Sequence, residues 1–359
     1  MTGPTRRRFL GNLLGGLLGS LAAAPLLGHE RAAVAEQIRP EAEWLAYAAR
    51  FIAPEGRIVD TGNRGVSHSE GQGYGMLLAT AYGDRRRFDQ LWAWTRQALQ
   101  VRGDGLFAWK WDPVLAAAAD RNSAGDGDLL IAWALLRAAR LWDDAGCRDD
   151  ARAILVDARA KLIVGSRLGP LLLPGPQGFV RDSSVVVNPS YWVYPALSRF
   201  ATEDHPSWAD LARSGPALLA ACRHGPSDLP PDWAEVSDTE VGPAAGFDPV
   251  FGFNAIRIPL YAVWGRPPGT DDLLKPICDF WASFDGQPAI PATVDLRTGN
   301  RAPYGLSAGG RAVAVLARFG AAAPEVAAAM LPSLGPTDDY YAATLILLTK
   351  TALLERSEP

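Results

Sequence analysis

Apolar residues recur along this chain with a period near 3.6, segment after segment, and the segments alternate in character. Twelve of them read as helices: 39–52, 70–82, 86–101, 126–143, 148–165, 189–201, 207–222, 254–265, 270–284, 305–318, 323–332 and 338–355. The odd-numbered ones are amphipathic, as in 86–99 and 151–162. The even-numbered ones are apolar on every side, as in 129–136 and 342–348. A helix that is apolar all round is buried, and an amphipathic one covers a core. The pattern therefore predicts an all-α fold, an (α/α)6 barrel of six inner and six outer helices, with little strand. Residues 223–253, carrying Pro226, Pro230, Pro231, Pro243 and Pro249, read as one long loop, and such loops in compact domains often carry function. No linker divides the chain, so 36–359 is expected to be a single catalytic domain.

Each inner segment is preceded by polar or Gly-rich residues. They are Ser69-Glu70-Gly71-Gln72-Gly73-Tyr74, Gly125-Asp126-Gly127-Asp128, Asn188-Pro189-Ser190-Tyr191, Phe253-Asn254-Ala255, Tyr304-Gly305-Leu306-Ser307 and Asp338-Asp339-Tyr340-Tyr341. If the inner helices run parallel, these starts gather on one face, where helix dipoles favour carboxylates. Taken singly, Ser69 or Asp126 is expected only to cap its helix. Six such starts on alternate helices mark a site.

The residues at these starts suit the cleavage of a glycosidic bond. That reaction needs a protonated carboxyl beside the leaving oxygen and a second group to handle water or the developing positive charge. Glu70 lies among Gly71, Gly73 and Gly75, which let a sugar or another helix come close to the backbone, and Tyr74 is within reach of hydrogen bonding. Of Asp126 and Asp128, one is expected to cap its helix and the other to hold sugar hydroxyls. Trp109, Trp111, Tyr191, Trp192 and Trp233 lie in or near the loops feeding this face; some are expected to stack on pyranose rings and the rest to be core.

The N-terminus reads as an export signal. Thr5-Arg6-Arg7-Arg8-Phe9-Leu10 has a twin-arginine start, an apolar run follows to about Leu27, and Ala33-Val34-Ala35 is a small-x-small cleavage site. Residues 1–35 are then removed and the mature form is periplasmic or secreted, with no membrane segment. Cleavage removes four Arg and one Glu, taking 35 basic and 39 acidic side chains to 31 and 38, and the net charge from −4 to near −7. An acidic surface disfavours nucleic acid and polyanionic sugars as partners. Cys147, Cys222 and Cys278 are widely spaced without a CxxC, and His68, His205 and His224 show no zinc-ligand spacing, so no metal site is expected. The sequence does not pair the cysteines; it predicts small buried side chains.

The segments Ser69-Glu70-Gly71-Gln72-Gly73-Tyr74-Gly75-Met76 and 124–136 through Trp142 resemble the two signatures of glycoside hydrolase family 8. Asn188-Pro189-Ser190-Tyr191, Leu229-Pro230-Pro231-Asp232-Trp233, 255–261 and Asp339-Tyr340-Tyr341 extend the likeness over most of 39–355. It is strongest toward the endoglucanases that accompany bacterial cellulose synthases. The resemblance implies an (α/α)6 barrel, hydrolysis of β-1,4-glucan with inversion, Glu70 as acid, Asp126 at the cleavage point, Arg257 in the cleft floor, no cofactor, and a functional association with cellulose synthase. Two positions depart from the pattern. Gly125 stands where the family has Ser or Thr. Asn254 stands where cellulase members carry the Asp general base, and an amide cannot take a proton from water at neutral pH. Asp248, in the long loop, is the replacement base read from sequence. The alternatives are a β-1,4-glycanase for chitosan or xylan and a glucan-binding protein with a degenerate base. N-terminal sequencing of protein recovered from the periplasm is expected to begin near Glu36; an intact Met1 terminus in the cytoplasm would contradict the export reading.

Overall fold

The computed structural model describes residues 37–356, and residues 1–35, read above as an export signal, lie outside them. Between Glu41 and Arg356 the chain forms twelve α-helices. The outer ones are α1 (Glu41–Phe51), α3 (Arg85–Leu99), α5 (Ala145–Leu162), α7 (Ser207–Ala221), α9 (Thr270–Ala282) and α11 (Pro324–Met330). The inner ones are α2 (Ser69–Ala81), α4 (Gly125–Leu141), α6 (Tyr194–Glu203), α8 (Ile258–Gly265), α10 (Ala308–Phe319) and α12 (Tyr340–Arg356). Each inner helix packs on the next, α2 on α4, α4 on α6, and so on to α12, which closes the ring against α2. Each later outer helix packs against an inner helix next to it in sequence, and α1 packs on α12, so the alternation read from periodicity is the alternation of the two rings. One continuous apolar core results, running from Trp44 on α1 to Leu353 on α12.

The inner helices α2, α4, α8 and α12 run parallel, as their contacts at both ends show. At the C-terminal end, Glu355 of α12 takes two bonds from Arg137 of α4, at 2.9 and 2.5 Å, and one from the Trp264 indole of α8 at 3.1 Å. At the N-terminal end, the start of α4 lies against the start of α2. A Cβ on Gly127 would sit 2.7 Å from the Glu70 amide nitrogen, and one on Gly73 would sit 2.6 Å from Leu130 Cβ. The glycines of this stretch thus let helix meet helix and set Glu70 and Asp126 side by side.

Several elements differ from the sequence reading. The segments predicted at 189–201 and 254–265 each begin as a 3-10 turn, Pro189–Tyr191 and Ala255–Arg257, before α6 and α8 start. Pro195 and Pro259 occupy the second position of those helices, where a missing N–H costs nothing and favours a fresh start. Helix α5 begins three residues earlier than predicted because Asp144 accepts the Cys147 amide at 3.1 Å, and it ends at Leu162 where a strand takes over. The little strand that occurs among the described residues comes as nine short pieces whose places the sequence does not show: β1 (Ser67–His68), β2 (Lys110–Trp111), β3 (Ile163–Ser166), β4 (Gly169–Leu172), β5 (Ser184–Val187), β6 (Ala234–Ser237), β7 (Val241–Pro243), β8 (Val250–Phe251) and β9 (Val294–Asp295). With two to four residues each, they are too short to display a period of two. The stretch 223–253 is therefore not one loop: β5, β6 and β7 form an antiparallel sheet, and β8 pairs with β9.

The three cysteines are free, Cys147 and Cys222 buried and Cys278 half-buried, and burial pushes each thiol up, to about 12, 12 and 11. The closeness of α2 to α4 gives a stability test. Gly73→Ala would ordinarily gain about 0.5–1 kcal/mol in a helix interior. Here the new methyl meets Leu130, and overpacking of this kind costs about 1–3 kcal/mol. Urea unfolding is expected to show a lower midpoint for the variant; a higher one would mean the two helices are not in contact there.

Candidate active site

Arg257, buried at the end of the second 3-10 turn, joins the starts of four elements. Its Nη1 contacts Glu70 Oε1 of α2, lies 3.3 Å from Asp126 Oδ2 of α4, and donates to the Tyr74 hydroxyl at 3.2 Å. Its Nη2 donates to Ser190 Oγ at 3.0 Å and to Asn254 Oδ1 at 2.9 Å. The guanidinium also lies 5.8 Å from the centre of the Tyr191 ring. A buried charge is tolerated only when paired and hydrogen-bonded, and every contact here meets that need.

Glu70 keeps 21% of its side chain exposed, more than any other member of this group of charges. Its Oε1 also faces the Tyr74 hydroxyl at 3.3 Å, and Tyr74 shares a 2.7 Å hydrogen bond with Tyr261. Asp126 is buried beneath. Burial pushes its carboxyl up, while the Gly127 N–H at 2.8 Å and the Tyr191 hydroxyl favour the charged form. Asp126 does not cap its helix: the residue before α4 is Ala124, and no side chain caps it. Nor does Asp128 cap. Its Oδ1 accepts the Phe107 amide at 2.9 Å and its Oδ2 the Ser123 hydroxyl, so it ties the preceding loop to the barrel. Burial raises Asp128 to about 8. Ser69 caps nothing either; its hydroxyl is buried without a partner.

Asn254 Oδ1 accepts from Arg257 and, at 3.0 Å, from Asn188 Nδ2, so the amide is turned with Nδ2 outward from them. That Nδ2 faces Asp232 Oδ2 at 3.4 Å. Asp232 Oδ1 accepts the backbone N–H groups of Gly252 at 2.9 Å and Ala255 at 2.8 Å, and burial pushes this carboxyl up. Asn188 orders the first 3-10 turn, its Oδ1 accepting from the Ser190 amide at 3.1 Å and hydroxyl at 2.7 Å. Tyr341, at the start of α12, donates to the Phe253 carbonyl at 2.6 Å and so fixes the residue before Asn254.

The structure brings together Glu70, Tyr74, Asp126, Tyr191, Asn254 and Arg257, and separates the others. Trp109 is at the rim: its carbonyl accepts the Ser69 amide at 3.0 Å, and its half-buried ring stacks on His68 and bonds Asp120. Trp111 packs edge-on to Trp94 with Arg57 over its face. Trp192 is core, its indole bonded to the Leu211 carbonyl. Trp233 is half-buried between Phe179 and Phe247 and meets Tyr191 edge-on. Asp248 is exposed on the loop before β8, outside the network around Arg257. Sequence reasoning missed Asp232, Asn188, Ser190 and Tyr261 as members of the site, although the Pro230-Pro231-Asp232-Trp233 run signals a fixed, acidic turn.

A helical barrel whose open end holds carboxylates about one arginine, with aromatic faces at its rim, defines a carbohydrate-cleaving enzyme of the (α/α)6 class. The chain belongs to the glycosyl hydrolases family 8, whose model matches residues 23–354. It is 39% identical to a probable endoglucanase of Novacetimonas hansenii over 88% of this chain and 91% of that one. It is 41% identical to an endoglucanase of Cellulomonas uda over 74% of each. The solved endo-β-1,4-glucanase CMCax of Acetobacter xylinum superposes with a TM-score of 0.81 at 38% identity, covering 91% of this chain and 99% of that one.

The raised Asp128 carboxyl has a consequence for stability. A carboxyl whose folded pKa, about 8, exceeds its unfolded value of about 3.9 holds a proton in the folded state that the unfolded chain has released. Its effect on stability is absent below about pH 4 and becomes increasingly unfavourable up to about pH 8. Asp128→Asn keeps an acceptor for the Phe107 amide and removes this dependence. Urea midpoints of the variant and the parent are expected to converge near pH 4 and to separate, with the variant higher, near pH 8. Parallel curves would contradict the shift.

Proposed function

We propose that the protein is an exported endo-β-1,4-glucanase that hydrolyses β-1,4-glucan with inversion, working alongside cellulose synthesis in the same cell. The observation that carries the reading is the meeting of Glu70, Asp126 and Arg257 at the open end of the barrel. Glu70 is the proton donor. Its Oε1 is held by Tyr74 and Arg257, which leaves Oε2 to face the glycosidic oxygen. Asp126, fixed from three sides by Gly127, Tyr191 and Arg257, holds the sugar at the cleavage point. A neutral polymer suits an acidic mature chain. The relatives named endoglucanase favour glucan over chitosan or xylan as the substrate. The glucan-binding reading draws on one observation, Asn254 at the position of the family's base.

Reducing-end release from carboxymethylcellulose, chitosan and xylan by the purified protein separates these readings, with release from carboxymethylcellulose expected. Glu70→Gln is nearly isosteric and lacks a carboxylic proton, so it is expected to fall by at least about 10²-fold in kcat with its melting temperature retained. Parent-like rates in the folded variant would remove Glu70 from the acid role.

A further inference from the structure

An inverting glucanase needs a carboxylate to take the proton of the attacking water, and Asn254 cannot be that group. The geometry around it names another. Both lone-pair directions of Asn254 Oδ1 are committed, to Arg257 Nη2 at 2.9 Å and Asn188 Nδ2 at 3.0 Å. The amide therefore offers a water only N–H groups. A water that accepts from Nδ2 keeps both of its own protons to give. The carboxylate at that edge of the amide is Asp232, whose Oδ2 lies 3.4 Å from Nδ2. Glu70 and Asp126 lie on the Arg257 side.

We propose that Asp232 is the general base of the reaction, taking the proton of a water held by the Asn254 amide. The proposal rests on the glucanase reading above. Asp232 is built for this by its local structure. Its Oδ1 is anchored by the Gly252 and Ala255 amides, the Asn254 backbone N–H also bonds the carboxylate, and the only side chain that bonds Oδ2 is the Asn254 amide, at 3.4 Å. Residue 252 is a glycine; a Cβ there would sit 3.0 Å from Oδ2 and cover it. Burial raises the carboxyl, bringing a base closer to a neutral working pH. The titratable and charged groups that face it are Tyr341 of α12 and, across the Asn254 amide, Arg257. In the step itself, the water oxygen bonds to the anomeric carbon as that carbon's bond to the glycosidic oxygen breaks. Glu70 gives its proton to the departing oxygen, and the water's proton goes to Asp232. Exchange with solvent then restores both groups.

The test compares Asp232→Asn with the parent on carboxymethylcellulose and on a cello-oligosaccharyl fluoride. Asn keeps an oxygen for the two anchoring amides, so melting temperature and cello-oligosaccharide affinity are expected to hold. The kcat on the polymer is expected to fall about 10²–10⁴-fold with KM little changed, and the acid limb of the pH profile to disappear. Azide is expected to restore turnover of the fluoride in Asp232→Ala and to give a glycosyl azide of inverted configuration, which a merely structural residue would not do. A folded Asp232→Asn with kcat within about threefold of the parent and the acid limb intact would overturn the proposal. So would a loss of that size in Asp248→Ala with Asp232→Asn near normal, which would move the base to Asp248. So would a gain of about 10²-fold in Asn254→Asp that survives a second Asp232→Asn change, since the parent would then have had no base. If the parent releases no reducing ends from any of the three polymers, the glucanase reading falls and this proposal with it.

Discussion

The site depends on one buried guanidinium. Arg257 is 3% exposed and makes contacts to residues of α2, α4 and both 3-10 turns. Removing one partner from a buried ion pair is destabilising by about 3–5 kcal/mol, because the remaining charge is left without compensation. The starts of these elements are therefore coupled: each places an acceptor where the arginine needs one, and the arginine fixes each acceptor where the chemistry needs it. A lysine would not serve, since a single ammonium cannot span Asp126, Tyr74, Ser190 and Asn254 in a plane.

That convergence requires the helix starts to lie close together, which is a matter of small residues rather than of charge. Gly73 and Gly127 remove the side chains that would hold α2 and α4 apart, so Glu70 and Asp126 are neighbours on adjacent helices. The far end of the barrel is held differently. There the Arg137–Glu355 pair and the Trp264 indole tie α4, α8 and α12 together away from the cleft. Stability at the closed end leaves the open end free to carry polar groups that a packed core would reject.

The architecture was legible in the sequence because period 3.6 over ten or more residues is a strong signal, and because full-round apolarity distinguished α4 and α12 from α3 and α5. Glu70, Asp126 and Arg257 were legible as local motifs. The short strands were not, for want of length, and they matter because β6, β7 and β8 carry the 223–253 stretch back to the cleft. Asp232 was quoted within its motif but given no role. Its link to Asn254 joins residues 22 apart, one inside that stretch and one just after it, and no local pattern encodes it. Asp128 was misjudged as a possible cap because its partners, Phe107 and Ser123, lie before the helix it begins.

The same link explains how an amide fits at position 254. Its oxygen meets two donors, Asn188 and Arg257, and its nitrogen meets an acceptor, Asp232. A carboxylate there would satisfy the first two equally well but would set two acceptor oxygens against each other across about the same gap as the present contact. Like charges that close cannot both ionise freely, so one would have to keep a proton. The amide removes that conflict and leaves Asp232 as the carboxylate of the pair. The surroundings of residue 254 are polarised to match an amide, donors on one side and an acceptor on the other.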